Sequence, residues 1–354
     1  MRRALSSSIL ICIAAATAVF LFAVPAWSVE RVVIKTASEY PDKHPTVKNG
    51  WFPWIDDLKK KSNGGLVIQF FNPNTLVPQK EAYNALTSGS ADMIFNPTWR
   101  NQGKFPLTDV VSLPMLFNGS EAGSLTIWDL YQAFPEWQEE YKDVKMLWQW
   151  TSATIQLHTK KKQVKTLADM SGLKIIGWNP RNLEMIKALG ANPIEMTPPD
   201  TYLALERGMA DGVMCPIAPM RAFKISDAAK HHTIIDLNCD AFYAAMNPKK
   251  WNSLPEEHKK LLEQTTGRHM AQMSGKTLDQ GAIDDSSWMK KEGHTFYVLP
   301  KEEKKLWRAK LKHMDDEWIQ AVEGKGYKNA RKIYEEAMKL AEKYSNQTTG
   351  GYKE

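Results

Sequence analysis

The sequence predicts an α/β protein built as two lobes, on three observations. Short apolar runs alternate with helix-period segments through the first half of the chain, the order expected of parallel α/β layers. A length of 354 residues exceeds what a single hydrophobic core usually serves. Two blocks also share one local plan, Asn84-Ala85-Leu86 with Gly89 and Ala91-Asp92, and Leu203-Ala204-Leu205 with Gly208 and Ala210-Asp211. Each reads helix–Gly–x–Ala–Asp–strand. Two lobes of similar plan would produce this; so would chance.

Residues 1–28 read as an export signal. Arg2 and Arg3 form the basic start, Ile9 to Val24 the apolar region, and Ala26-Trp27-Ser28 the small residues before cleavage at Val29. The apolar run is too short to favour a membrane span, and no cysteine follows it to carry a lipid. The expected mature chain has about 326 residues and is soluble and exported. Loss of the two arginines takes the net charge from +6 to +4.

Val32-Val33-Ile34 starts a strand, and Tyr40 to Pro45 a turn. Trp51, Trp54, Ile55 and Leu58 then recur on one helix face. Asn63-Gly64-Gly65 ends that helix, Leu66 to Phe71 alternates as a strand, Glu81 to Leu86 is helical, and Asp92 to Phe95 is a short buried strand. Residues 172–216 are the most informative stretch. Leu173, Ile175 and Ile176 form an apolar run broken by Gly177 and Pro180. Leu183, Ile186 and Leu189 mark a helix that stops at Gly190, and Tyr202 to Arg207 a second that stops at Gly208. A short strand follows. The unit is strand–helix–helix–strand, with glycine at both helix exits. Ser253-Leu254-Pro255-Glu256 matches a capping box opening a long helical region. Trp307, Leu311, Met314 and Trp318 form an apolar helix stripe of the core-packing kind. Residues 346–354 read as a disordered tail.

Lysines are interspersed with acids, as in Lys301–Asp316, which is a solvated surface and not a nucleic-acid site. Gly324-Lys325-Gly326 has no strand before it and makes no phosphate loop. His-Glu-x-x-His, Cys-x-x-Cys and Gly-x-Ser-x-Gly patterns do not occur. His231-His232 with Asp236 or Asp240 could ligate a metal. Neighbouring strand residues face opposite sides, however, so a surface pair is expected, and Asp315-Asp316 is read as solvated. No metal, cofactor or catalytic set is assigned. Cys12 leaves with the signal. Cys215 and Cys239 are read as separate thiols, with a disulfide open in an oxidising compartment.

The 172–216 region resembles the signature of solute receptors of tripartite ATP-independent periplasmic (TRAP) transporters. That pattern runs G-L-K-x-R, G-A-x-P, Y-x-A-L, D-G. Here it stands as Gly172-Leu173-Lys174-Ile175-Ile176, Gly190-Ala191-Asn192-Pro193, Tyr202-Leu203-Ala204-Leu205 and Asp211-Gly212. Ile176 replaces an arginine that usually clamps a carboxylate. Further matches are Asn63-Gly64 with Val67 to Phe71, Leu86-x-x-Gly89-x-x-Asp92, Leu113-Pro114, Leu157 to Lys160, Leu167 to Lys174, and Trp251-x-x-Leu254-Pro255-x-Glu257.

The resemblance covers essentially the whole mature chain. It implies a two-lobed periplasmic binding protein, type II-like, with hinge strands and a long helix spanning both lobes. Lobe I would hold 29–153 and about 242–281, and lobe II 154–241 and about 282–345. It also implies a receptor and not an enzyme, needing no cofactor, that closes on a small solute and delivers it to TRAP membrane permease subunits driven by an ion gradient. No nucleic-acid partner and no membrane insertion after signal cleavage are expected. A receptor presenting solute to a sensor domain, and an exported enzyme on this fold, are the competing readings.

On the family pattern the cleft receives Thr98, Trp99 and Arg100, then Trp150 and Gln156, then Ile176, Trp178, Asn179 and Arg181. Met214, Cys215, Asp240, Phe242 and Tyr243 complete it. Ile176, Gln156 and Cys215 are less polar than the pattern leads one to expect, and Trp99, Trp150 and Trp178 add aromatic area, unless they are lobe core. This combination suits a small organic acid with an aromatic or apolar body. A relocated arginine, Arg100 or Arg181, would meet its charge. An amine or neutral solute is the alternative.

Overall fold

The computed structural model describes residues 31–353; the signal expected at 1–28 lies outside them. Strands β1 (Val32–Ser38), β2 (Leu66–Phe71), β3 (Met93–Pro97) and β4 (Lys145–Thr151) come first. β5 (Gln156–Thr159), β6 (Lys174–Gly177), β7 (Asn192–Glu195), β8 (Gly212–Cys215) and β9 (His231–Ile234) follow, then β10 (Ala241–Met246) and β11 (Thr295–Val298). They form a five-stranded sheet ordered β2-β1-β3-β10-β4 and a six-stranded sheet ordered β11-β9-β5-β8-β6-β7. β1 is parallel to β2 and β3, and β6 to β7 and β8. β10 runs antiparallel to β3 and β4, and β5 to β8 and β9. One sheet belongs to each lobe.

The chain crosses between the sheets from β4 to β5 and returns from β9 to β10. The two crossings are bonded side by side. Ile155 N donates to Asn238 O at 2.9 Å, Leu237 N to Ile155 O at 2.9 Å, and Ser152 N to Asp240 O at 2.8 Å. These are the hinge strands. Above them runs the 24-residue helix Arg268–Lys291, about 36 Å long. Its Met270 and Leu278 pack in the first lobe, its Ala282 and Met289 in the second. Gly275 lets it cross the helix Ser120–Ala133 closely: a Cβ there would stand 2.6 Å from Glu121 Cα.

Several expectations are corrected. β7 was not foreseen between the two helices of 172–216; it is a largely exposed edge strand carrying Pro193, and edges are where a strand tolerates proline. The Ser253 capping box does not form. Pro255 precedes the helix Glu256–Thr265, and the Ser253 hydroxyl donates to Lys250 O instead. A capping box exists at Thr166 and Asp169. The helix stripe divides between lobes. Trp307, Leu311 and Met314 join the second lobe's core, while Trp318, Ile319 and the helix Ala330–Gln347 pack with Phe105 and Leu130 of the first. The chain beyond Arg308 therefore does not all belong with lobe II. Residues 348–353, read as disordered, lie against the body: Gly351 N donates to Asn118 O at 3.2 Å, and Tyr352 stacks on Phe296.

Asp315 is fully buried, not solvated, held by Arg308 at 2.5 Å and Tyr334 at 2.8 Å. His232 is also fully buried, so the surface pair is wrong; alternation exposes His231 and turns His232 inward. There it lies in a chain of imidazoles. His158 Nε2 meets Cys215 O at 3.1 Å, His158 Nδ1 meets His232 Nδ1 at 2.8 Å, His232 Nε2 meets His294 Nδ1 at 2.8 Å, and His294 Nε2 meets Lys230 Nζ at 3.1 Å. A carbonyl only accepts and an ammonium only donates, so with neutral rings every proton points from Lys230 toward Cys215. Burial holds the His158 and His294 pKa values down at about 4, and the His232 value lower still.

Candidate functional site

A cleft of about 180 Å³ opens between the lobes where parallel strands end, the usual ligand position in open α/β sheets. From the first lobe, the turn after β3 contributes Thr98 and Trp99, and the segment beyond it Phe105 and Asp109. From the second, the turn after β6 contributes Asn179, Pro180, Arg181 and Glu184. Asp240 comes from the returning hinge strand.

Local chemistry sets each of these. Asn179 caps the helix Pro180–Ala188, its carbonyl oxygen accepting from Asn182 N at 2.9 Å, and proline occupies the first helical position. The same amide donates to Asp240 Oδ1 at 3.3 Å, tying the second lobe's helix to the hinge. Asp109 rides on the short helix Thr108–Ser112, which Glu140 pins from below. Glu140 accepts from Leu107 N at 2.5 Å, Thr108 N at 3.2 Å and Thr108 Oγ1 at 2.8 Å. Burial pushes the Glu140 carboxyl up to about 8 despite those bonds. It pushes Asp109 up to about 6, against the charges of Arg181 and Lys325. Asp240 is pushed up to about 6 by burial and by Asp109's charge, with Arg181 and Asn179 opposing.

The two candidate arginines differ. Arg100 is matched by Glu39, Nε to Oε2 at 2.9 Å and Nη2 to Oε1 at 2.7 Å, and its guanidinium lies over Trp99. Among the described residues Arg181 has no hydrogen-bond or ion-pair partner, and it lines the cleft.

Of the predicted site residues the cleft gathers Thr98, Trp99, Asn179, Arg181 and Asp240. Trp150 and Phe242 stack on one another at 5.4 Å inside the first lobe's core, beside Trp51 and Phe95. Tyr243 accepts from Asn96 in the same lobe. Gln156 braces the hinge: its amide donates to Asp236 Oδ1 at 2.9 Å and its oxygen accepts from Ile235 N at 2.7 Å. Ile176, Met214 and Cys215 are fully buried within the second sheet, because β6 and β8 are interior strands covered on both faces. Trp178 donates to Thr201 Oγ1 at 3.0 Å. Cys215 and Cys239 are both free, buried thiols whose ionisation burial disfavours. Asp109 and Glu140 were missed. An acid inside the apolar run Leu107 to Val111 was the one signal available.

Residues 36–321 match the family described as bacterial extracellular solute-binding protein, family 7 (DctP).

The chain belongs to that family.

This family 7 chain is 26% identical over 334 residues to the C4-dicarboxylate-binding periplasmic protein DctP of Rhodobacter capsulatus, covering 90% of this chain and 96% of that one. It is 26% identical over 208 residues to the 2,3-diketo-L-gulonate-binding periplasmic protein YiaO of Escherichia coli, covering 58% of this chain and 63%, under two thirds, of YiaO. A solved TRAP solute-binding protein of Rhodoferax ferrireducens, in complex with copurified benzoate, superposes with a TM-score of 0.81 at 25% identity, covering 89% of this chain and 99% of that one. The two-lobed architecture is the TRAP receptor fold. Among the described residues no helix is long and apolar enough to cross a membrane, and no side-chain group is arranged to hold a metal ion.

Proposed function

We propose that this family 7 protein is the periplasmic receptor of a TRAP transporter, exported by its 1–28 signal, which shuts its cleft on a small organic acid and delivers it to membrane permease subunits. It catalyses nothing. The observation that carries this reading is Arg181, a guanidinium that has no partner among the described residues, in a cleft that the half-buried Trp99 also lines. Its fork matches a carboxylate, and the Trp99 ring suits an apolar or aromatic body. The Rhodoferax relative's benzoate is a solute of this kind.

The mechanism is differential affinity. A solute touching both lobes favours the shut form over the open one. Carrying the population from about 1:99 to 99:1 needs a preference of about 5.5 kcal/mol. One charge-assisted set at about 1.5–3 kcal/mol falls short, so ring burial must contribute. Calorimetry against a panel of aromatic and aliphatic acids, with small-angle scattering on the best binder, tests the reading. Expected are micromolar or tighter binding, a smaller radius on saturation, and loss of binding in Arg181→Ala. Unchanged affinity in that variant overturns the arginine's role, and an unchanged radius with every acid overturns the receptor.

A further inference from the structure

The charges in the cleft do not suit a plain carboxylate. Arg181 offers five donor hydrogens and no acceptor. Around it stand Asp109 and Asp240, with Glu184 also lining the cleft. Lys325 is the other cation acting on Asp109, and its ammonium is already held by Gly103 O at 3.3 Å. Asp240 accepts one hydrogen bond, from the Asn179 amide. Among the described residues the Asp109 carboxylate accepts none. Neither carboxylate lies within ion-pair distance of Arg181.

An ionised carboxylate has about four acceptor positions, so most of this capacity faces the cavity unused. An anion brought to Arg181 alone would add a third negative charge beside two carboxylates, where water is partly excluded and like charges repel more strongly. It would also leave Asp109 without a donor and Asp240 with the Asn179 amide alone.

A single ligand chemistry satisfies both sides. We infer that the solute is a zwitterion, an amino acid with an apolar or aromatic side chain, whose carboxylate takes Arg181 and whose ammonium donates to Asp240 and Asp109. The inference rests on the acid-receptor reading above and adds the amino group to it. The three ammonium hydrogens meet the vacant acceptors, and the side chain packs against Trp99, which lines the cleft.

Calorimetry at pH 7.5 with matched probes decides it: the protein amino acids, their des-amino acids, and the corresponding amines. L-phenylalanine, 3-phenylpropanoate and phenethylamine are one such set. At least one amino acid is expected to bind about tenfold or more tightly than its des-amino acid. Asp240→Asn and Asp109→Asn should each shrink that ratio, weakening the amino acid and strengthening the plain acid, as neutralising either carboxylate removes an acceptor for the ammonium and a like charge beside the carboxylate. The wild type supplies an independent readout between pH 7.5 and pH 5, a window in which both aspartates take up protons about their value of about 6. There the amino acid should weaken and the plain acid strengthen. If des-amino acids bind as tightly as amino acids, or no amino acid binds, the zwitterion is overturned while the acid receptor stands. If amines bind and acids and amino acids do not, both readings fall.

Discussion

The first lobe buries carboxyl groups, and the second buries imidazoles. In the first, Glu140 sits beneath the turn that carries Asp109. Asp279 accepts from Ser120 N at 2.7 Å and Glu121 N at 2.9 Å at the start of a helix, and burial pushes its carboxyl up to about 7. In the second, His158, His232 and His294 form one neutral chain. His44, stacked under Tyr40 and held at about 4, and the buried His258 depart from this division in the first lobe. A carboxyl whose folded pKa is raised binds its proton more tightly in the fold, so its contribution is complete below its ordinary value and fades as pH rises toward the raised one. An imidazole whose folded pKa is lowered contributes fully above its ordinary value and fades as pH falls. The lobes therefore answer pH in opposite directions.

Breaking the imidazole chain should have the largest effect. His232→Phe leaves His158 Nδ1 and His294 Nδ1 buried without partners and should cost about 3 kcal/mol, lowering Tm by about 4–5 °C by scanning calorimetry. Hydrogen exchange read lobe by lobe should come next in size. Protection in the second lobe should fall as pH drops from 6.5 toward 4, with the ordinary histidine value and the lowered His158 value bounding the window. Protection in the first lobe should fall as pH rises from about 4 toward about 8, the span set by Asp279 and Glu140. Parallel loss in both lobes would end the comparison. Glu140→Gln should sharpen it by flattening the first lobe's stability between pH 6 and 8 while the second lobe's profile stays put. The smallest effect belongs to Arg100→Ala. It strands the partly buried Glu39 and should lower stability by about 1 kcal/mol, with solute affinity within about twofold of wild type.

Much of the fold was legible because strands and helix ends carry local chemistry. β2 falls on the alternating run Leu66 to Phe71, and Gly190 and Gly208 take the left-handed backbone that ends their helices, at φ +90° and +73°. β7 escaped because an exposed edge strand needs no apolar pattern. The site was legible only in part, since availability of a side chain is settled by distant neighbours. Trp148 and Trp150 share one face of β4, which looks like a ring platform, but Trp51 and Phe242 fill the space against it. Arg100 and Arg181 look alike in the chain, and Glu39, 61 residues before Arg100, pairs the one while the other has no partner among the described residues. Asp109 gave no motif because its importance comes from facing Arg181 across the gap.

The paired crossings at 152–155 and 235–240 carry a mechanical consequence. Two pins fix the line about which a door can swing and forbid it to twist, and two bonded crossings do the same for these halves. Reporter dyes on opposite rims of the cleft should then trace a single path between separated and apposed, whichever solute drives the swing.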